Sequence, residues 1–218
     1  MTDPLDAITA EQFKRFRNVR RGTQNPEPMN NPFWEAMIRS GGFGWTACEH
    51  FGVDPQTKDR PVWSFNRHGM SRTILDDDSL LFIAGEHEDS YDPHFAIYND
   101  VIIRRPNGDL EIYGYSPRDF PPTDFHTATK IDDYVWIIGS LGYDKDRIAG
   151  TTPIFQLNLR TFRIQEINVH GEEPSWLSRH SALHCPEQDS IVVWGARPWT
   201  CSESSPATRT CGPSPCRS

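Results

Sequence analysis

Several features that mark membrane or secreted proteins are missing from the sequence. It has no apolar run of about 18 residues, whereas a helix needs about 20 to cross a bilayer. Its first residues, MTDPLDAITAEQ, lack the basic stretch and the apolar core of a signal peptide. We therefore expect a cytoplasmic protein with no membrane partner.

Positive charge is also scarce. The 218 residues include 22 Lys and Arg against 30 Asp and Glu, which gives a net charge of −8. Nucleic-acid backbones and anionic membranes bind clustered Lys and Arg, so the composition argues against both as partners. The chain has 5 cysteines, and Cys201, Cys211 and Cys216 crowd its last residues. This spacing does not indicate a disulfide framework.

The sequence patterns of several enzyme classes are missing too. The chain contains no G-x-S-x-G, no Gly-rich phosphate loop, no C-x-x-C and no H-E-x-x-H. These patterns mark nucleophile elbows, nucleotide-binding loops, redox or zinc sites and zinc proteases. We assign no catalytic residue from the sequence.

The first part of the chain, residues 1–60, has the pattern of short helices. Thr9 and Gln12 form a capping-box pattern before an apolar periodicity. Asn31 followed by Pro32 is typical of an N-cap and a first helical residue, and Gly41 is a typical stop. We predict a helical N-terminal segment.

From Pro61 onwards, short apolar runs alternate with polar turns, which predicts antiparallel strands. Three predicted hairpins share one design, at 71–75 with 80–83, 127–131 with 134–138, and 181–185 with 191–194. Second pairs of strands lie between them, at 97–103 with 110–115 and at 154–159 with 162–167. Four antiparallel strands per repeat is the pattern of a β-propeller blade.

Each of the three hairpins opens with a histidine and closes with a glycine, at nearly equal intervals. The histidines are His68, His126 and His180, and the glycines are Gly85, Gly139 and Gly195. This regular spacing indicates an internal repeat.

The repeat resembles that of the kelch family, whose period is about 50 residues. The segment IFQLNLRTFRIQEI at 154–167 resembles the outer hairpin of a kelch blade, and Tyr98-Asn99-Asp100-Val101 resembles the Asn-Asp-Val segment. The family's Gly-Gly doublet stands here as Ala84-Gly85, Gly139-Ser140 and Gly195-Ala196. The resemblance covers residues 61–196 and implies a mainly β fold. That fold is a partial kelch-like β-propeller of about two and a half four-stranded blades, preceded by a short helical segment.

A closed propeller needs roughly four to eight blades, so this arc leaves blade faces and strand edges open. Residues 197–218 predict a disordered Ser/Pro/Cys-rich tail in place of a further outer hairpin. One hypothesis is that the reading frame changes near Gly195, which makes the chain a truncated product without independent function. The alternatives are a natural disordered tail, and self-association of chains that completes the ring.

In a blade, the loop that leaves the second strand lies at the same end as the segment that enters the first strand. The resemblance implies that this rim binds ligands and partner peptides. The candidate ligand-binding residues are Arg67, His68, Glu86, His87, His126, Arg179 and His180. The two arginines favour an acidic peptide or a carboxylate ligand. The alternative role of the repeated histidines is to hydrogen-bond the backbone of a neighbouring blade.

The densest polar cluster is the segment GEHEDSYDPHF at 85–95. Carboxylate and imidazole groups together suit Fe(II), Mn(II) or Zn(II), so Glu88, Asp92 and His94 are candidate metal ligands. The alternative is a solvated loop in which Asp side chains cap backbone amides and no cofactor is bound.

The sequence thus predicts a non-enzymatic kelch-type module that binds a protein or a small acidic ligand through one rim of loops. The alternative is a metal-dependent or cofactor-free enzyme that acts on a small sugar-like or organic substrate.

Overall fold

The computed structural model describes residues 2–55, 60–87, 94–202 and 210–213. The helices are α1 (Ala10–Phe16), α2 (Pro32–Ser40) and α3 (Gly44–His50). The strands are β1 (Glu27–Pro28), β2 (Ser71–Ile74), β3 (Leu80–Ile83), β4 (Glu86–His87), β5 (Ala96–Ile97), β6 (Val101–Arg104), β7 (Leu110–Gly114), β8 (Thr127–Ile131), β9 (Tyr134–Ile138), β10 (Ile154–Asn158), β11 (Ile164–Glu166), β12 (Trp176–Ser178), β13 (Ser181–Cys185), β14 (Ser190–Trp194), β15 (Arg197–Ser202) and β16 (Thr210–Pro213).

The first two helices begin at the predicted capping residues. The Thr9 hydroxyl and the Gln12 side chain form a reciprocal capping box at the start of α1. The Asn31 side chain accepts a hydrogen bond from the Trp34 amide at 3.0 Å, and Pro32 occupies the first helical position. Gly41 ends α2 in the left-handed conformation. Local sequence therefore specifies these helix ends, because caps need only residues close in the chain.

The sheets are antiparallel, and the three predicted hairpins are confirmed. The first sheet has the order β1-β7-β6-β3-β2, and the second has the order β11-β10-β9-β8. A separate hairpin, β13 with β14, follows them, and we call it the third hairpin. Ser71 pairs with Ile83, Thr127 with Ile138, and Ser181 with Trp194, each at the same end of its hairpin.

Alternation along the strands divides the first sheet into two apolar faces. Leu81 and Ile83 belong to the cluster that the first sheet shares with Val135 and Ile137 of the second sheet. Phe82, between them in β3, belongs to the cluster formed with the three helices. The first sheet is therefore covered on one side by the second sheet and on the other by the N-terminal segment.

One apolar face of the third hairpin is largely exposed. Paired strand residues share a face, so Leu183 and Val192 lie together, as do Ser181 and Trp194. The exposed fractions are 58% for Leu183, 44% for Val192 and 51% for Trp194. We call this the outward face of the third hairpin.

Within the segment 197–218, which the sequence predicts to be a disordered tail, the structure has two strands. The backbone of β15 pairs with β12, and β16 pairs with β15. Backbone pairing needs no alternating apolar pattern, only an edge strand with open amide and carbonyl groups, which is why composition did not indicate these strands. The rest of this segment lies outside the described residues.

Candidate functional site

The segments predicted to form one rim meet at one end of the sheets. His68 and Glu86 exchange two backbone hydrogen bonds of 2.8 and 2.9 Å. The Gly85 amide donates to the Thr123 carbonyl, and the Leu141 amide donates to the Asp124 carbonyl, both at 2.9 Å. We call this end the rim; it comprises residues 66–70, 84–87, 94–98, 123–126, 139–147 and 175–180.

Three equivalent hydrogen bonds join each sheet to the next, and we call them the inter-sheet hydrogen bonds. Between the first and second sheets they are Phe125 N to Gly69 O (2.9 Å), Gly85 N to Thr123 O (2.9 Å) and His126 Nε2 with Ser71 Oγ (2.8 Å). Between the second sheet and the third hairpin they are Arg179 N to Phe125 O (2.9 Å), Ser140 N to Leu177 O (2.8 Å) and His180 Nε2 with Thr127 Oγ1 (3.0 Å). The repeat seen in the sequence is therefore also a repeat of contacts.

The structure shifts the predicted histidine repeat by two residues in its first unit. Since β2 begins at Ser71, β8 at Thr127 and β13 at Ser181, the residue equivalent to His126 and His180 is Met70. The equivalence with His68 is wrong. The sequence pattern could not show this, because the first strand residue is fixed by pairing with β3 rather than by the histidine.

His126 and His180 join neighbouring sheets, as the alternative interpretation predicted, but through side-chain hydroxyls rather than through the backbone. Burial lowers the pKa of His126 to about 3, and burial also lowers the pKa of His180. Both imidazoles are therefore neutral at neutral pH. Each hydrogen-bonds a hydroxyl of the preceding sheet, so its Nε2 is already engaged within the chain.

Arg67 is buried in a compact polar cluster within the rim. Its guanidinium contacts both carboxylate oxygens of Asp100 at 2.5 and 3.0 Å, and its Nη1 donates to the Ala84 carbonyl at 2.9 Å. It also lies 3.4 Å from the ring centre of Tyr98 and 4.8 Å from that of Trp63. These contacts occupy the guanidinium on all sides, so Arg67 anchors the first sheet.

His87 belongs to the same cluster. Its Nδ1 is 2.7 Å from the Tyr98 hydroxyl, which also accepts a hydrogen bond from the Ser64 amide at 3.0 Å. Burial, with the Arg67 charge and His94 nearby, lowers the pKa of His87 to about 3. His87 is thus a neutral partner of Tyr98 at neutral pH.

A carboxyl pair lies at the centre of the rim. Asp124 is fully buried, and its Oδ1 accepts a hydrogen bond from the Gly142 amide at 2.6 Å. The Glu86 side chain lies within hydrogen-bonding reach of Asp124, and burial raises the pKa of Asp124 despite the nearby Arg147 charge. Two carboxyl groups this close favour sharing a proton.

Two of the predicted ligand-binding residues are exposed on the rim. The side chain of His68 is exposed, and so is that of Arg179. The Arg179 guanidinium lies 3.7 Å from the ring centre of Phe125, which orients it while leaving its donors at the surface. Glu86, half-buried beside Asp124, is the third accessible member of the set.

The predicted metal ligands are not all described. Glu88 and Asp92 lie outside the described residues, and His94 lines a small cavity with His87 and Cys48. Among residues 2–55, 60–87, 94–202 and 210–213, no three His, Cys, Asp or Glu side chains form a metal-binding group.

Sequence reasoning missed the roles of Asp100 and Asp124. Asp100 was noted only within the Asn-Asp-Val resemblance, yet it pairs with Arg67 and accepts a hydrogen bond from Trp63 Nε1 at 3.0 Å. Asp124 lies in a Pro-containing connection before β8, where no sequence pattern indicates a buried carboxyl group. Their partners lie far along the chain, so spacing alone gives no signal for either.

The part of the chain that the structure describes has no helix with the length and apolar character needed to cross a membrane. In comparisons with known proteins, no family model matches the chain and no curated protein matches it significantly.

Proposed function

We propose that the chain is a non-enzymatic protein-binding module built as a partial kelch-type propeller. Two runs of four antiparallel strands in chain order, β2-β3-β6-β7 within the five-stranded first sheet and β8-β9-β10-β11 in the second, support this proposal. So do the inter-sheet hydrogen bonds, which recur with the same geometry between successive units. Repeats that contact only their neighbours form this kind of stack.

The observation that carries the proposal is the outward face of the third hairpin. Leu183, Val192 and Trp194 form an exposed apolar surface on it. In the first sheet the corresponding face is covered by the second sheet, and in the second sheet Ile138 of the corresponding face is buried. An exposed apolar face bordered by polar groups is typical of a protein-binding surface.

The hydrogen-bonding groups that hold the earlier units together recur beside this face. By strand register, Arg179 and Ser181 of the third hairpin are equivalent to Phe125 and Thr127 of the second sheet. Ala196 is equivalent to Ser140 in the same way. Among the described residues, the Arg179 carbonyl and the Ala196 amide make no backbone hydrogen bond outside the strand pairs. These groups suit the edge and face of another β-sheet.

The partner that we propose is a second copy of the chain. The third hairpin of the second copy has the same apolar face, so two copies that pack face to face remove both apolar faces from water. The first sheet of a second copy is not accessible, because the helices already cover its free face. His68 and Arg179 at the rim add polar groups that suit acidic segments of a partner.

The test is the molar mass of the full chain measured by light scattering over a range of concentrations. We expect the wild type to associate as its concentration rises. Leu183→Glu should lower the association at least tenfold, because it places a charge in the apolar contact. The matched control is Ile148→Glu, since Ile148 is 61% exposed and belongs to the connection between β9 and β10 rather than to the third hairpin. A monomeric wild type at all concentrations, or equal effects of both substitutions, would refute the proposal.

The carboxyl pair of Asp124 and Glu86 favours a second candidate function, a cofactor-free enzyme acting on a small sugar-like or organic substrate. A buried acid with a raised pKa at a rim is suited to donate a proton. Carboxyl titration by carbon-13 NMR tests this candidate. One group titrating well above the ordinary Asp range supports it, and ordinary titration of both groups contradicts it.

A further inference from the structure

A groove with many apolar lining residues lies beside β11, at the edge of the second sheet, and we call it the edge groove. Its volume is about 330 Å³, within the size range of ligand-binding clefts. Phe155 and Trp176 line it and are buried. Ile148 and Val169 also line it, and they are 61% and 39% exposed. Exposed apolar side chains in a groove favour a partner that covers them.

The edge groove also carries negative charge. Asp146, Glu166 and Glu173 line it, and no Lys, Arg or His stands among its described lining residues. None of these three carboxylates forms an ion pair with a described residue. Arg147, next to Asp146 in the chain, pairs instead with Asp144 at 2.7 Å. The charge of the groove therefore favours a basic partner.

The backbone of β11 is open to a further strand at Glu166. β11 is the last strand of its sheet, and the Ile167 amide donates to the Ile154 carbonyl at 2.9 Å. Hydrogen-bonded pairs alternate along an antiparallel ladder, so the amide and carbonyl of Glu166 point away from β10. Among the described residues, neither group makes a backbone hydrogen bond outside the strand pairs. An edge of this kind can pair with an extended peptide.

A side chain of the N-terminal segment already binds the same edge two residues earlier. The Ile164 amide donates to Asn25 Oδ1 at 2.9 Å, and Asn25 Nδ2 donates to the Ile164 carbonyl at 2.6 Å. Alternate residues of a strand point their backbone groups to the same side, so Ile164 and Glu166 share this edge. A carboxamide has the donor and acceptor of a peptide group. Asn25 therefore occupies the edge outside the groove and leaves the edge inside the groove to a partner.

We propose that the edge groove binds an extended segment of another protein in which basic and aliphatic side chains alternate. The backbone of the segment pairs with β11 at Glu166. Successive side chains of a strand point to opposite faces, so the basic ones meet the carboxylates while the aliphatic ones cover Ile148 and Val169. No residue of the third hairpin stands among the described lining residues, so this inference does not depend on the function proposed for that hairpin.

The experiment is calorimetric titration of the full chain with a hexapeptide of alternating lysine and valine, blocked at both ends. One comparison peptide has glutamate in place of lysine, and another has serine in place of valine. We expect one saturable site for the lysine–valine peptide and an affinity for either comparison peptide that is lower by about tenfold or more. The lysine–valine peptide is also N-methylated at alternate residues, in each of the two registers. One register should bind at least about tenfold more weakly, because only alternate residues of a strand donate to its neighbour.

Two variants test the residues of the edge groove. The double variant Asp146→Asn with Glu166→Gln removes two exposed carboxylate charges, and we expect it to lower the affinity for the lysine–valine peptide about tenfold. The matched control is Glu11→Gln with Asp109→Asn, which removes two exposed charges outside the groove and should bind within about twofold of the wild type. Val169→Ser should weaken binding about fivefold, because it removes apolar contact area.

The inference would be overturned by failure of the lysine–valine peptide to bind, or by equal binding of the peptide with serine or with glutamate. Equal weakening in the two double variants would overturn it as well, because the charge would then act from anywhere on the surface. So would unchanged affinity of both N-methylated peptides, which would exclude pairing with β11.

Discussion

Acid should begin to destabilise this protein at a pH above the range in which most carboxyl groups titrate. His87 and His126 are both buried, and burial lowers the pKa of each to about 3. In the unfolded chain, a histidine has a pKa of about 6.5. The fold therefore favours the neutral imidazoles. Their contribution to stability is complete above the unfolded pKa and is lost as the pH falls from about 6.5 towards 3.

The size of this effect follows from the difference between the two pKa values. Each pH unit below the unfolded pKa costs about 1.4 kcal/mol per histidine, so at pH 5 each residue costs about 2 kcal/mol. The two together lower the free energy of unfolding by about 4 kcal/mol, a large part of the 5–15 kcal/mol typical of a domain. Asp124 acts in the opposite direction, because its raised pKa favours protonation in the folded state.

The assay is urea unfolding followed by tryptophan fluorescence between about pH 7.5 and about pH 5. His126→Gln should remove about half of the pH dependence, and the double variant with His87→Gln should remove most of it. His170→Gln, at an exposed position, is the control and should retain the wild-type dependence. A wild type whose free energy of unfolding stays constant over this range would refute the reasoning.

Two further substitutions test the buried cluster and the contact between the first two sheets. Asp100→Asn leaves the buried Arg67 charge without its carboxylate, so the free energy of unfolding measured by urea titration should fall by about 3–5 kcal/mol. The control is Asp133→Asn, which breaks a solvent-exposed pair and should change the free energy of unfolding by about 1 kcal/mol at most. Gly69 has a φ of +61°, and a Cβ added there would lie 2.5 Å from the backbone nitrogen of Phe125. Gly150 also has a positive φ, but a Cβ added there would meet no atom within 4 Å. The melting temperature should therefore fall further in Gly69→Ala than in Gly150→Ala. Equal melting temperatures for these two variants would contradict the close contact between the sheets.

The parts of the fold that could be predicted from the sequence are those formed by residues close together in the chain. The sequence predicts the hairpin of β8 and β9 from short strand-like runs on both sides of the turn at Asp132 and Asp133, and the two paired strands are close neighbours in the chain. The capping residues Thr9 and Asn31 likewise act within one helical turn. Short-range interactions leave a mark in the sequence because all their members lie in one segment.

Long-range burial was not predictable in the same way. Arg67 next to His68 looked like part of a positive rim, whereas its charge is neutralised by Asp100 in the second half of the first sheet. Whether an arginine faces solvent or a buried carboxylate depends on which strands pack together. The packing of the helices on Phe82 is a further example. The sequence pattern of the N-terminal segment indicates which helix faces are apolar, but it does not indicate which strand they pack on.

The third hairpin, which carries the outward face, is less buried than the first two sheets. The first sheet is covered on both faces, and Val135 and Ile137 of the second sheet are fully buried. The strands of the third hairpin contain no fully buried residue. Local opening therefore begins most easily there, because few apolar contacts oppose it. A partner that covers Leu183 and Trp194 supplies the missing contacts, so binding and the ordering of this hairpin should be coupled, and occupancy of the face should raise the stability of the whole chain.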